Sequence, residues 1–161
     1  MIQSFCDWLA ATALSQFFAN HDWFVPTVQT VHILSIAVVV ITLGMLDFRL
    51  LRLTRSGPAP EVMAGKFIPW TWRALVVLLV TGILLIITEP TRELMNNAFR
   101  LKMLMVTVLV VLTVAMQRAS AREPGYWSAS PGRRRLGSAL AMVSLVLCIS
   151  IVAAGRLIAY L

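Results

Sequence analysis

Charge is scarce in this sequence. Only 13% of its 161 residues are Asp, Glu, Lys or Arg, and just seven are acidic. Soluble domains carry about 25% charged and about 45–50% apolar residues. Here 59% are hydrophobic and the mean hydropathy is +0.83, which excludes an ordinary water-soluble domain. Cysteine is nearly absent as well. Cys6 precedes the first apolar run and Cys148 lies deep in the last, so no bridge between them is expected, and Cys148 reads as a small packing hydrophobe. Histidine is limited to His21 and His32. Zinc needs three or four His, Cys or carboxylate ligands, more than the neighbourhood of His32 supplies, and no Met pair stands near it for soft copper. There is no phosphate-binding Walker loop, no G-x-S-x-G and no H-E-x-x-H. The N-terminus lacks a basic segment and carries Asp7, so no cleavable signal peptide is expected.

Long apolar runs are what the chain does have. From Phe24 to Leu46 the only ionisable side chain is His32, and Leu136 to Gly155 contains none. Between them Ala74–Thr88 and Met103–Gln117 are uncharged. A helix needs roughly 20 apolar residues to cross a bilayer core of about 30 Å. The first and last runs meet that directly, and the middle two meet it once their apolar flanks are included. The absence of in/out alternation argues for helices over a barrel. The expected fold is all-α, an integral membrane four-helix bundle in one domain over 1–161, with spans near 24–48, 68–89, 98–117 and 137–159.

The formal net charge of +7 is explained by its placement. Arg49, Arg52, Arg55 and Lys66 lie between spans one and two; Arg118, Arg122 and Arg133–Arg135 lie between spans three and four. Arg92 and Arg100 are the only basic residues between spans two and three. Nine against two predicts, by the positive-inside rule, cytoplasmic basic loops and periplasmic N- and C-termini in a bacterial inner membrane. The loops would face anionic lipid, and nucleic acid is not expected as a partner.

Ahead of the first span, "SFCDWLAATALSQFFAN" repeats Phe5, Leu9, Ala13 and Phe17 at helical spacing, which predicts one short helix in the membrane interface. Pro69 of "PWTWR" is expected near a helix start, and "SAREPGYWSASPGRRR" is expected to be the most mobile segment. Single glycines in "ITLGMLD" and "VTGILL" suit close helix contact.

Ionisable groups inside a membrane are costly and raise functional hypotheses. His32 lies about 12 Å into the first span at 1.5 Å per residue. Lys102, Arg156 and Glu89 come from the other three spans on the same side, so all four can converge. The plainer reading is a neutral histidine bonded to a Thr or Ser across helices, with Lys102 and Arg156 snorkelling to head groups. The sharper reading is a b-type haem. It needs one axial histidine, an apolar cavity and cations for its propionates. His32 would be the metal ligand, Lys102 and Arg156 the propionate partners, and Thr27, Thr30 and Ser35 would orient the ring.

Three stretches, "VQTVHILSIAVVVITLGMLDFRLLRL", "PWTWRALVVLLVTGILL" with "NNAFRLKMLMV", and "VAAGRLIAYL", resemble a family of small bacterial four-helix membrane proteins with no assigned function. More distantly the pattern is similar to membrane protoporphyrinogen oxidases and to copper-resistance D-type membrane proteins. In the oxidases a helix-one histidine binds haem b and a helix-three lysine is functional, roles that the resemblance implies for His32 and Lys102. Many members carry a further histidine at the end of helix three, where this chain has Met116-Gln117.

Two functional classes follow. One is a haem b electron-transfer protein working with quinone or a porphyrin-like substrate. The other is a non-catalytic subunit that docks on a larger membrane complex or forms a homo-oligomer.

Overall fold

A computed structural model describes residues 2–53, 58–123 and 125–158. The described residues are helical or in turns and short connections. In chain order the helices are α1 (Ile2–Ala10), α2 (Ala13–Ala19), α3 (Phe24–Leu50), α4 (Pro60–Thr88), α5 (Pro90–Leu94), α6 (Asn97–Arg122) and α7 (Pro131–Ile158). Four of them, α3, α4, α6 and α7, are long and apolar enough to cross a membrane. Their outward faces carry Leu34, Ile41, Leu79, Val111 and Ile149, all exposed. Apolar surface of that extent is incompatible with water and suited to lipid.

α3 is the best-buried span and packs on α4 and α7, α6 packs mainly on α7, and α4 touches α6 only lightly. Two apolar clusters fill the interior. One gathers Leu46, Leu50, Ala64, Ile68, Met116, Trp127 and Ala141, the other Val39, Leu43, Ala74, Leu109, Cys148 and Ile151. Between α3 and α4 the Thr42 and Thr71 hydroxyls meet at 2.8 Å. Each also donates to, or sits against, its own helix carbonyls, at Val38 and Phe67. Small hydroxyl side chains are well suited to joining helices where lipid supplies no hydrophobic drive.

The expected single interfacial helix is two. Thr12 breaks it: its extended backbone ends α1, and its oxygen accepts the Ser15 N–H to cap α2. α2 docks on the end of α4, and α1 packs mainly on α5. The last carbonyls of a helix lack internal donors, and the Ser15 hydroxyl donates to Ile87 O of α4 at 2.7 Å, while the Cys6 thiol points at Pro90 O at the start of α5, 3.7 Å away. The outer surface keeps Trp8 (63% exposed) and Trp23 (64% exposed), the aromatic belt of an interface. We call this the capped end and the opposite one the basic end. Both cysteines are free and buried.

Pro69 does not start a helix. Pro60 takes the first position of α4, and Pro69 lies within it, because Pro60 has the fixed φ suited to a helix start. The segment after α6 is anchored more firmly than its composition predicts. Trp127 is only 5% exposed, its Nε1 donates to Ser120 Oγ at 2.8 Å, and its ring lies over Gly137. Of the two glycines expected at close contacts, Gly82 meets His32 and Gly44 faces open space.

Candidate functional site

His32 is half-buried on α3, near the capped end, and faces α4. Its Nδ1 lies 2.7 Å from Thr81 Oγ1. The Thr81 hydroxyl proton is already committed, since Oγ1 sits 2.7 Å from Val77 O one turn back. A hydroxyl has one proton and two lone pairs, so Thr81 accepts and His32 Nδ1–H donates. The neutral imidazole then leaves the Nε2 lone pair available, with no hydrogen-bond partner among the described residues. The ring lies against Gly82 of α4, where a Cβ would stand 3.6 Å from His32 Cε1, an ordinary contact.

The side chains expected to orient His32 do not. Thr27, Thr30 and Ser35 each donate to a carbonyl of their own helix, at Trp23, Pro26 and Val31. A short hydroxyl inside a helix readily takes the i−4 carbonyl, so helix position alone did not select the partner.

Lys102 joins the site as expected. It lies within electrostatic range of both His32 and Glu93, and its Nζ would stand 3.7 Å from a Cβ at Gly155. Arg156 follows on the exposed side of α7, so Lys102 is the cation nearest the imidazole. Glu89 is not part of the cluster. It pairs with exposed Arg92 at 2.6 Å, and Glu93 of α5 takes its place beside Lys102. Burial pushes the Glu93 carboxyl above its ordinary range, while Lys102 and then Arg92 pull it back and Glu89 adds to the rise.

Among the described residues no group of three or more His, Cys, Asp or Glu is placed to hold a metal. His21 is near the surface of the cap, its Nδ1 2.6 Å from Phe17 O. A metal at His32 would therefore rest on one protein ligand, which suits a macrocycle and not a bare ion. One turn below, an apolar cavity of about 60 Å³ lies between Ile36, Leu78, Val106 and Ile151. Pockets for drug-sized ligands run to roughly 300–1,000 Å³, so the closed bundle does not hold a porphyrin internally. α4 and α6 pack only lightly against each other.

Met116 and Gln117 lie at the basic end. Met116 is buried in the core, and Gln117 Oε1 accepts the Trp72 indole N–H at 3.1 Å. Residues 5–161 match a family of unknown function, DUF6644. No curated protein and no solved structure matches the chain.

Proposed function

We propose, for a chain that belongs to the DUF6644 family and inherits no assigned activity from it, a b-type haem protein of the bacterial inner membrane that passes electrons. His32 Nε2 would hold its iron. Lys102 offsets the propionate charge, with Arg156 at the rim of the same end. The single observation that carries this reading is that Thr81 engages His32 Nδ1–H, the cross-helix bond the plainer reading also expects, while Nε2 has no hydrogen-bond partner among the described residues. Metal-binding histidines donate their other ring N–H to a fixed acceptor, which sets the tautomer and raises ligand basicity. The resemblance to membrane protoporphyrinogen oxidases, which assigns haem b to the helix-one histidine, belongs to the same proposal. Bound there, the haem supplies one-electron chemistry to a membrane quinone or a porphyrin-like substrate. The basic loops face the cytoplasm and both termini the periplasm.

Dithionite-reduced minus oxidised spectra of protein purified after haem-replete expression test it. Wild type is expected to show an α-band that His32→Ala loses and Thr81→Val weakens. No band in wild type would overturn the reading. Colourless protein with stoichiometric companion subunits would favour a docking subunit, for which the exposed Phe5, Trp8 and Trp23 of the cap offer an apolar surface.

A further inference from the structure

A second polar cluster lies at the basic end, and it is independent of the haem reading. Asp47 of α3 is 1% exposed, the only acidic or basic side chain that is buried among the described residues. Buried Ser144 of α7 is in hydrogen-bonding range of the carboxyl. The other oxygen, Oδ2, has no partner. Beside it is a cavity of about 10 Å³, walled by Thr113, Gln117 and Ser120 of α6, by Ser144, and by apolar groups that include Ile68 and Trp127. A cavity of about this size accepts one water.

The wall has little left to offer a metal cation. Trp72 and Trp127 donate to Gln117 Oε1 and Ser120 Oγ. An indole N–H can only donate, so it fixes the Gln117 amide with its oxygen engaged and its nitrogen free to donate. Thr113 and Ser120 spend their protons on Leu109 O and Met116 O. A hard cation asks for about six oxygens, and this wall instead combines donors with occupied acceptors. No basic side chain faces the carboxyl from α4, α6 or α7 among the described residues. Arg49, two residues on, reaches Pro58 O at 2.9 Å. Among the described residues the one other titratable group that acts on Asp47 is the Cys148 thiol, a turn beyond Ser144. An ionised carboxylate with no counter-ion in such surroundings costs several kcal/mol, and a buried acid avoids that cost by holding its proton.

We propose that Asp47 is a proton-carrying site: a carboxylic acid that takes up and releases one proton, with a single water in the adjoining cavity linking Oδ2 to the polar wall. Only a proton moves, from water to Oδ2 on uptake and back on release. The site gives this chain a place to exchange protons at the basic end, whatever its outer-half imidazole binds.

Infrared spectroscopy of the full chain in detergent micelles tests it. Exposed aspartates are ionised at about pH 6, and the chain has three aspartates, of which Asp7 and Asp22 are exposed. At that pH we expect a carboxylic C=O band that moves with 13C-aspartate labelling and with deuterium. It should fade at higher pH as a carboxylate band grows, be lost in Asp47→Asn, and persist in Glu61→Gln. The labelling experiment needs no variant, so a misfolded Asp47→Asn leaves the test intact. Absence of any label-sensitive carboxylic band overturns the proposal. So does a sodium-dependent rise in melting temperature that Asp47→Asn abolishes, because that result makes the site a cation site.

Discussion

At the scale of single residues, what distinguishes this bundle is how few polar side chains it buries and how fully most are answered. Thr42, Thr71, Thr81, Thr113 and Ser35 all reach a carbonyl of their own helix. Thr42, Thr71 and Thr81 go further and reach across to a second helix. Glu93 is a different case, a half-buried carboxyl between one ammonium and a second carboxylate. Its folded-state affinity for a proton is raised, with burial the leading cause. A group of this kind favours the folded state below its ordinary value and loses that contribution as pH rises through the raised one. Glu93→Gln should therefore melt at a higher temperature than wild type at about pH 7, with the difference closing toward about pH 4, where both forms are neutral. A lower melting temperature for Glu93→Gln at neutral pH would mean that attraction to Lys102 outweighs burial.

At the scale of elements, the contact between the α6–α7 connection and α7 is the tightest glycine contact among the described residues. A Cβ built on Gly137 would stand 2.8 Å from Cε3 of Trp127. The indole cannot swing aside without breaking its bond to Ser120 and leaving the core it shares with Leu50 and Ala141. Overpacking of this type costs about 1–3 kcal/mol. Gly137→Ala should lose that much in unfolding experiments in micelles, and far less in a Trp127→Ala background, where the clash is gone. Additive effects of the two substitutions would show that the ring is not held against α7. The two-part cap illustrates the same dependence on local chemistry. The helical spacing of Phe5, Leu9, Ala13 and Phe17 was legible in the sequence, and the break at Thr12 was not, because a threonine serves as a cap or as an ordinary helical residue according to its backbone.

At the scale of the whole molecule, the distribution of charge and of lipid-facing side chains defines how the bundle sits. Arg49, Lys66, Arg118 and Arg133–Arg135 gather at one end, and the aromatic cap occupies the other. The positive-inside rule translates that asymmetry into an orientation. On the proposed orientation, a C-terminal reporter active only in the periplasm should give signal, and replacing Arg133–Arg135 with alanine should reduce it by weakening the charge bias proposed to hold that loop on the cytoplasmic side. Signal solely from a cytoplasmic reporter at the C-terminus would invert the topology.

Composition and periodicity by themselves determined that this chain forms apolar helices in a membrane, how many spans it has and where they run to within a few residues at most ends. They did so because a bilayer imposes a length and a polarity on any segment that crosses it, and both are local properties of the chain. They also singled out His32 and Lys102, since an ionisable group in an apolar run is visible without knowing its neighbours. They missed α4's early start at Pro60, where a proline suits a helix's first turn as well as it suits a loop. They could not pick Thr81 as the partner of His32, or place Glu93 beside Lys102 where Glu89 was expected. Asp47 showed the same limit. Near the end of an apolar run an aspartate reads as a helix terminus, and only the packing of α3 against α6 and α7 closes water away from it. Such pairings depend on helix rotation and on which spans are neighbours, and those are set by contacts between residues far apart in the chain.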